Sequence, residues 1–198
     1  MSAERRRAER RARLLDAGLD VVGETGVAGL TMTAVCARAR LTERYFYENF
    51  RNRDQLLVAI FDQLADQWIE AVTAAIDVPG DLFARARAGL AVLVDGVTED
   101  HRKARLFGEA TGHDALRQRR AERLGEFADL LAEVVRHEYQ LHGYQQQQRL
   151  DLVGRVIVSG MAEAGVSWLA GEITLSRDEF LDESARLCVA AAETIRDT

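Results

Sequence analysis

The stretch Thr31–Arg53, TMTAVCARARLTERYFYENFRNR, constrains the chain more than any other part of it. Val35, Ala39, Leu41, Phe46 and Phe50 are spaced so that two short crossing helices share one small core, with polar or aromatic residues between them. That is the layout of a helix-turn-helix. Thr31 is a good N-cap for the first helix of the pair, with Met32 and Val35 turned inward and Thr33 outward. Arg40, Leu41 and Thr42 form the turn, and Thr42 caps a second helix that opens Glu43-Arg44-Tyr45.

On either side, apolar residues recur at three- and four-residue steps and never alternate as in a strand, so the predicted fold is all-α with about nine helices. Leu14, Leu15, Ala17, Gly18, Val21 and Val22 make the first amphipathic helix, closed near Gly26. Residues 1–13, with six arginines and two glutamates, read as a partly frayed, helix-competent arm. Asn52 and Gln55 are a capping pair by spacing, so a fourth helix begins at Arg53. Leu56, Leu57, Ile60, Phe61, Leu64, Trp68 and Val72 carry it to about Ile76. The only proline, Pro79, and Gly80 end it, and Asp81 opens a fifth helix. Gly108 and Gly112 leave room for only a short sixth helix. Asp114 caps a seventh, whose polar first half looks solvated and whose second half, Phe127 to Val135, looks buried. The eighth, about Tyr144 to Ala170, has one apolar face in Leu150, Val153, Ile157, Met161, Ala164 and Trp168. A second runs through Leu152, Val156, Gly160 and Val166, so this helix needs two partners. Ser176 and Glu179 form a capping box for the ninth, which places Phe180, Leu181, Leu187, Cys188, Ala191, Ala192 and Ile195 inside.

Charge is distributed unevenly. Residues 1–53 carry 11 Arg against 7 acidic residues, whereas the remainder carries 15 Lys+Arg against 25 Asp+Glu within a net charge of -6. A basic head on an acidic body means that only the head suits a polyanion. Cys36 and Cys188 have neither zinc-ligand nor disulfide-framework spacing, and no apolar run approaches the roughly 20 residues needed to span a bilayer. A soluble, cytoplasmic protein without membrane contact is expected.

The run T-x-T-x-V-x-x-x-A-x-L-T-x-x-x-F-Y-x-N-F-x-N-R-x-x-L over residues 31–56 resembles the TetR family of transcriptional regulators. So do the Y-F-Y-x-N-F cluster and the long fourth helix followed by five more. The motif covers about residues 12–60, and the rest agrees in helix number and order. The resemblance implies a helix-turn-helix DNA-binding domain at 1–53 and a helical ligand-binding and dimerisation domain at 54–198. It further implies a homodimeric repressor on a near-palindromic double-stranded operator, released by a small-molecule effector. Four residues depart from the family pattern. Arg40 stands where glycine is usual, so it either takes a left-handed conformation or the turn is built differently. Cys36 replaces an alanine, Asn49 a histidine and Arg53 a lysine.

In this reading Thr42, Glu43, Arg44, Tyr45 and Tyr47 lie in or beside the major groove, with Arg44 suited to guanine and Glu43 to cytosine. Thr33, Tyr47, Asn49 and Arg53, with the arginine arm, face phosphates. The alternative for Tyr45 and Tyr47 is packing within the small core. Glu43 and Glu48 repel phosphate, so one head alone should bind weakly. Candidate effector-lining residues are Trp68, Phe107, Glu109, His113 and Trp168, each of which could equally be core or a helix-end group. Val156, Gly160, Glu163, Ser167, Leu187 and Ala191 are the candidate dimer contacts on the eighth and ninth helices.

Two other classes compete with this reading. A helical enzyme finds little support: His137-Glu138 and His142 do not make HExxH, and His101 and His113 lack ligand-spaced partners. No phosphate loop or nucleophile elbow occurs, so no catalysis, metal or cofactor is expected. A helical protein-interaction module that uses its arginines for solubility is the other rival.

Overall fold

The structure, a computed structural model, describes residues 2–77 and 79–196, of Arg196 the backbone only. Among these residues it is all-α, without strands. In chain order the helices are α1 (Ala3–Thr25), α2 (Met32–Ala39), α3 (Glu43–Tyr47), α4 (Arg53–Ile76), α5 (Leu82–Thr98) and α6 (His101–Glu109). A 3-10 turn (Ala110–Gly112) leads to α7 (Asp114–Tyr139), α8 (Tyr144–Leu169) and α9 (Arg177–Arg196).

Local chemistry sets most of these boundaries. The Thr31 hydroxyl accepts the Ala34 N–H at 3.2 Å, and the Asn52 side chain accepts the Gln55 N–H at 2.8 Å. At α9 the capping box is reciprocal: the Glu179 carboxylate accepts the Ser176 N–H at 2.8 Å and Ser176 Oγ accepts the Glu179 N–H at 3.3 Å. Thr42, in contrast, makes no side-chain cap bond. The arginine arm is helical from Ala3, with Ser2 accepting the Arg5 N–H. Gly108 lies within α6, and the break comes at Ala110–Gly112 instead.

The chain forms two compact units, Met1–Asp66 with Val97–Arg120, and Gln67–Gly96 with Ala121–Thr198. In the first, Leu14, Val22, Val35, Phe46 and Phe50 of the leading segment bury against Leu56, Leu57, Ile60, Phe61 and Leu64 of α4. Leu106, Ala110 and Leu116 complete the cluster. An eight-residue α2 and a five-residue α3 bury too little apolar area to close a core alone, which is why α6 and the start of α7 are recruited. Arginines reinforce this packing: Arg102 pairs with Asp20 and Asp100, and Arg105 donates to the Gly23 and Glu24 carbonyls at the end of α1. A cation there opposes the negative end of the helix dipole. The first half of α7 is less solvated than its polarity suggests. Leu116 is fully buried, Arg119 pairs with Asp62, and Arg123 is buried with its guanidinium 2.6 Å from Glu126.

In the second unit, Leu82, Ala132, Val135, Leu141, Leu150, Ala192 and Ile195 form one cluster. Val94, Phe180 and Leu181 form another, with Trp168 packed on it. α8 and α7 approach closely at Gly154, where a Cβ would sit 2.9 Å from the Ala128 carbonyl oxygen. Arg87 with Asp178 and Asp182, and Arg177 with Asp95, add ion pairs between α5 and α9. The hydrogen bonds from Arg177 hold the Asp95 carboxyl below the usual carboxylate range. Burial pushes the Cys188 thiol up to about 11, so it stays protonated.

The two apolar faces of α8 have different fates. Leu150 is buried and Val153, Ala164 and Trp168 pack on the clusters, while Leu152 and Val156 stand 64% and 62% exposed and Gly160 opens on empty space. On α9, Leu187 is 56% exposed and not inside, whereas Phe180, Leu181, Cys188, Ala192 and Ile195 are buried as expected. By length and composition α8 is apolar enough to cross a membrane, which amends the expectation that no segment is. It nevertheless carries Arg149, Asp151, Arg155 and Glu163 along its length, each costly in a hydrocarbon core.

Candidate nucleic-acid interface

The turn of the helix-turn-helix is a Schellman motif with an arginine at its left-handed position. Arg40 has φ 51° and ψ 46°, its N–H donates to the Ala37 carbonyl at 3.2 Å, and the Leu41 N–H reaches the Cys36 carbonyl at 3.0 Å. Of the two alternatives open to Arg40, the left-handed one is realised. A non-glycine residue held there costs about 1–2 kcal/mol. Arg13 donates to the neighbouring Ala39 carbonyl and brings a positive charge to the end of α2. Cys36 is buried beneath the turn, and burial, with the Glu43 charge, raises its thiol pKa.

α3 is anchored by Phe46, which is fully buried, tilted against Phe50 and met edge-on by Tyr47. Around that anchor Thr42, Glu43, Arg44 and Tyr47 are exposed, the Arg44 side chain at 85%. Tyr47 is on the outside of the core, and Tyr45 is half-buried with the Arg10 guanidinium 4.6 Å above its ring. Asn49 spends its amide on the Tyr45 carbonyl at 2.8 Å. Arg53 donates to the Leu30 carbonyl at 3.3 Å and lies 3.5 Å from Asp54. Thr33 is exposed on α2.

Sequence reading missed how the arginine arm docks. Arg7 Nη2 donates to the Glu48 carbonyl at 2.7 Å, Arg10 approaches the Glu48 carboxylate at 3.6 Å, and Arg11 covers the Phe50 ring at 4.5 Å. Glu48 also accepts from Arg44 Nε at 3.3 Å. The signal that could have revealed this is the spacing of Arg7, Arg10 and Arg11, which puts all three on one helix face.

The five candidate effector residues are divided. Phe107, Glu109 and His113 belong to the first unit, Trp68 and Trp168 to the second. Phe107 packs on Phe61 at 4.8 Å, and Glu109 accepts the Val27 N–H at 2.7 Å while pairing with Arg105. His113 Nε2 is 3.7 Å from Asp54, and both His113 Nδ1 and Asp54 Oδ1 are buried without a hydrogen-bond partner. The Trp68 indole packs closely on Gly96. Trp168 stacks on Phe180 at 5.1 Å and donates to the Leu175 carbonyl at 2.8 Å. Of the candidate dimer contacts, Val156, Gly160, Glu163 and Leu187 are exposed, and Ser167 and Ala191 half-buried. Among the described residues, no group of three or more His, Cys, Asp or Glu is placed to hold a metal ion.

Comparison with known proteins shows what this arrangement is similar to. Residues 14–60, from the second half of α1 to the first part of α4, match the family described as bacterial regulatory proteins, tetR family. No curated protein matches the chain. Among solved structures, a TetR-family regulator from Syntrophomonas wolfei str. Goettingen is similar with a TM-score of 0.75 at 13% identity, over 94% of this chain and 96% of that one. A transcriptional regulator from Pseudomonas aeruginosa PAO1 gives 0.69 at 18% identity, over 96% and 91%. The multidrug binding protein EbrR, solved with imidazole, gives 0.66 at 23% identity, over 90% and 94%. Residues 14–60 thus carry the sequence pattern of the tetR family of bacterial regulatory proteins, and the chain shares the fold of solved TetR-family regulators.

Proposed function

We propose that the protein is a homodimeric repressor that reads a near-palindromic operator through α3 and leaves it when a small-molecule effector binds. The observation that carries the DNA-reading part is α3 itself: Phe46 is buried while Thr42, Glu43, Arg44 and Tyr47 face solvent. A helix anchored by one aromatic and exposed elsewhere suits entry into the major groove. Arg44 reads guanine and Glu43 accepts from cytosine N4. Thr42 and Tyr45 flank the groove, and Thr33, Tyr47, Asn49 and Arg53 set register on phosphates. In functional terms the DNA-binding domain is residues 1–53, and residues 54–198 serve effector binding and dimerisation.

The outer face of α8 supports pairing. Leu152, Val156 and Gly160, with Leu187 on α9, form an apolar surface for a second copy, which Glu163, Ser167 and Ala191 extend. Trp68, Phe107, Glu109, His113 and Trp168 remain the candidates for effector recognition. His113 is favoured among them by its buried, unpartnered Nδ1. EbrR, similar in fold, is a multidrug binding protein, which supports an effector of small-molecule size. An effector acts only if it binds the DNA-incompetent state more tightly.

Selection of bound duplexes from a random pool tests the reading. A near-palindromic motif should emerge, and Arg44→Ala or Tyr47→Ala should lower affinity for it; enrichment of no motif would overturn the proposal. Light scattering should show a dimer, and Val156→Glu should yield a folded monomer with weak operator binding.

A further inference from the structure

We infer that Glu48 is an internal competitor for DNA phosphates: it holds arginines of α1 and α3 on the protein and so lowers the sequence-independent part of DNA affinity. This rests on the DNA-binding reading above and concerns the strength of that binding. Glu48 sits at the C-terminal end of α3 and gathers three cations. Its carboxylate is 3.6 Å from Arg10 Nη2 and 3.3 Å from Arg44 Nε, and its carbonyl accepts Arg7 Nη2 at 2.7 Å.

These are the side chains through which a basic head would meet a polyanion. The carboxylate pairs are solvent-accessible and individually weak, so removing the carboxylate frees each arginine for a phosphate oxygen. Arg10 shows that the docked arrangement is incomplete: its guanidinium lies over Tyr45, yet its Nε is buried without a partner. For Arg10 or Arg44 to turn to a phosphate, the Glu48 carboxylate must be left unpaired beside it, with Glu43 at the other end of α3 adding a second like charge, so in the parent these arginines stay on the carboxylate and neutralise no phosphate. A neutral residue at position 48 has no such cost. Counterion release sets the scale: log affinity falls against log salt by about 0.9 for each phosphate neutralised.

The test is Glu48→Gln in the full chain, which keeps shape and removes charge. The probes are a random-sequence duplex and a duplex enriched from a random pool, each titrated over a salt series. The substitution should raise random-duplex affinity and steepen the salt dependence by about 0.9 per arginine released. With two arginines released, a fourfold dilution of salt should give about tenfold more gain than in the parent. In an Arg10→Ala/Arg44→Ala background the effect of Glu48→Gln should shrink, because the held cations are gone. An unchanged salt slope, or weaker binding by Glu48→Gln, would overturn the inference and leave Glu48 as a structural clamp of α1 on α3. If the parent chain bound neither duplex, the DNA-binding reading itself would fail and take this inference with it.

Discussion

The Glu109 carboxylate accepts the backbone N–H of Val27 at 2.7 Å, joining the end of α6 to the loop after α1 across 82 residues of sequence. The contact lies against Gly26, whose φ of 79° lets the chain turn so closely that a Cβ there would sit 2.8 Å from the carboxylate. Burial disfavours the charged carboxylate. Hydrogen bonds from Arg105 and Val27, with the Arg105 charge, outweigh that and lower its pKa below the ordinary 4.5.

Because the folded pKa lies below the unfolded one, the Glu109 charge contributes stability that is fully present above about pH 4.5 and is lost as pH falls through the folded value. Glu109→Gln should therefore be less stable than the parent at neutral pH, and the difference should shrink under acid. Urea midpoints of the two proteins at neutral and acid pH check this, and a difference independent of pH would contradict it. Glu109→Ala, which also leaves the Val27 N–H without an acceptor, should cost about 1–3 kcal/mol.

Arg40 leads to the opposite kind of prediction. Glycine at this left-handed position relieves about 1–2 kcal/mol of steric cost and loses about 0.5–1 kcal/mol through the entropy of the unfolded chain. Arg40→Gly should raise stability by roughly 0.5–1 kcal/mol on that balance, seen as a higher denaturant midpoint with unchanged slope. A lower midpoint would mean that the Arg40 side chain stabilises the turn in its own right.

Gly154 tests the approach of α8 to α7. A Cβ there meets the Ala128 backbone carbonyl oxygen at 2.9 Å, and backbone yields less readily than the tip of a side chain. Gly154→Val should destabilise by about 1–3 kcal/mol through overpacking, measured by thermal or chemical unfolding. Gly160→Ala, on the open side of the same helix, should leave the unfolding midpoint of the isolated protomer unchanged or slightly higher, since alanine favours the helix.

Legibility followed the reach of the interactions. The start of α4 at Arg53 and of α9 at Arg177 could be read directly, because Asn52 with Gln55 and Ser176 with Glu179 act across three residues. Phe46 and Phe50 were legible as core for the same reason: their spacing within one short motif already implied a shared pocket. The docking of Arg7 and Arg10 on Glu48 was not, since a run of arginines looks the same whether it is solvated or held. The first half of α7 misled similarly: Leu116 and Arg123 are buried by partners that helix polarity does not reveal.

By itself, the sequence determined where α2, α4 and α9 start, that α3 carries its aromatic anchor and exposed polar face, and that Arg40 would be the unusual residue of the turn. Caps, periodicity and left-handed positions are matters of neighbours a few residues apart, so the chain states them locally. The tertiary structure alone decided that α6 and the beginning of α7 complete the core of the leading helices, and that Glu109 secures the loop at Val27. It also decided which of α8's two apolar faces is covered within the chain and which, at Leu152 and Val156, stays exposed. Those outcomes depend on which distant segments meet. Apolar burial is non-directional and names no partner, so only packing resolves the choice.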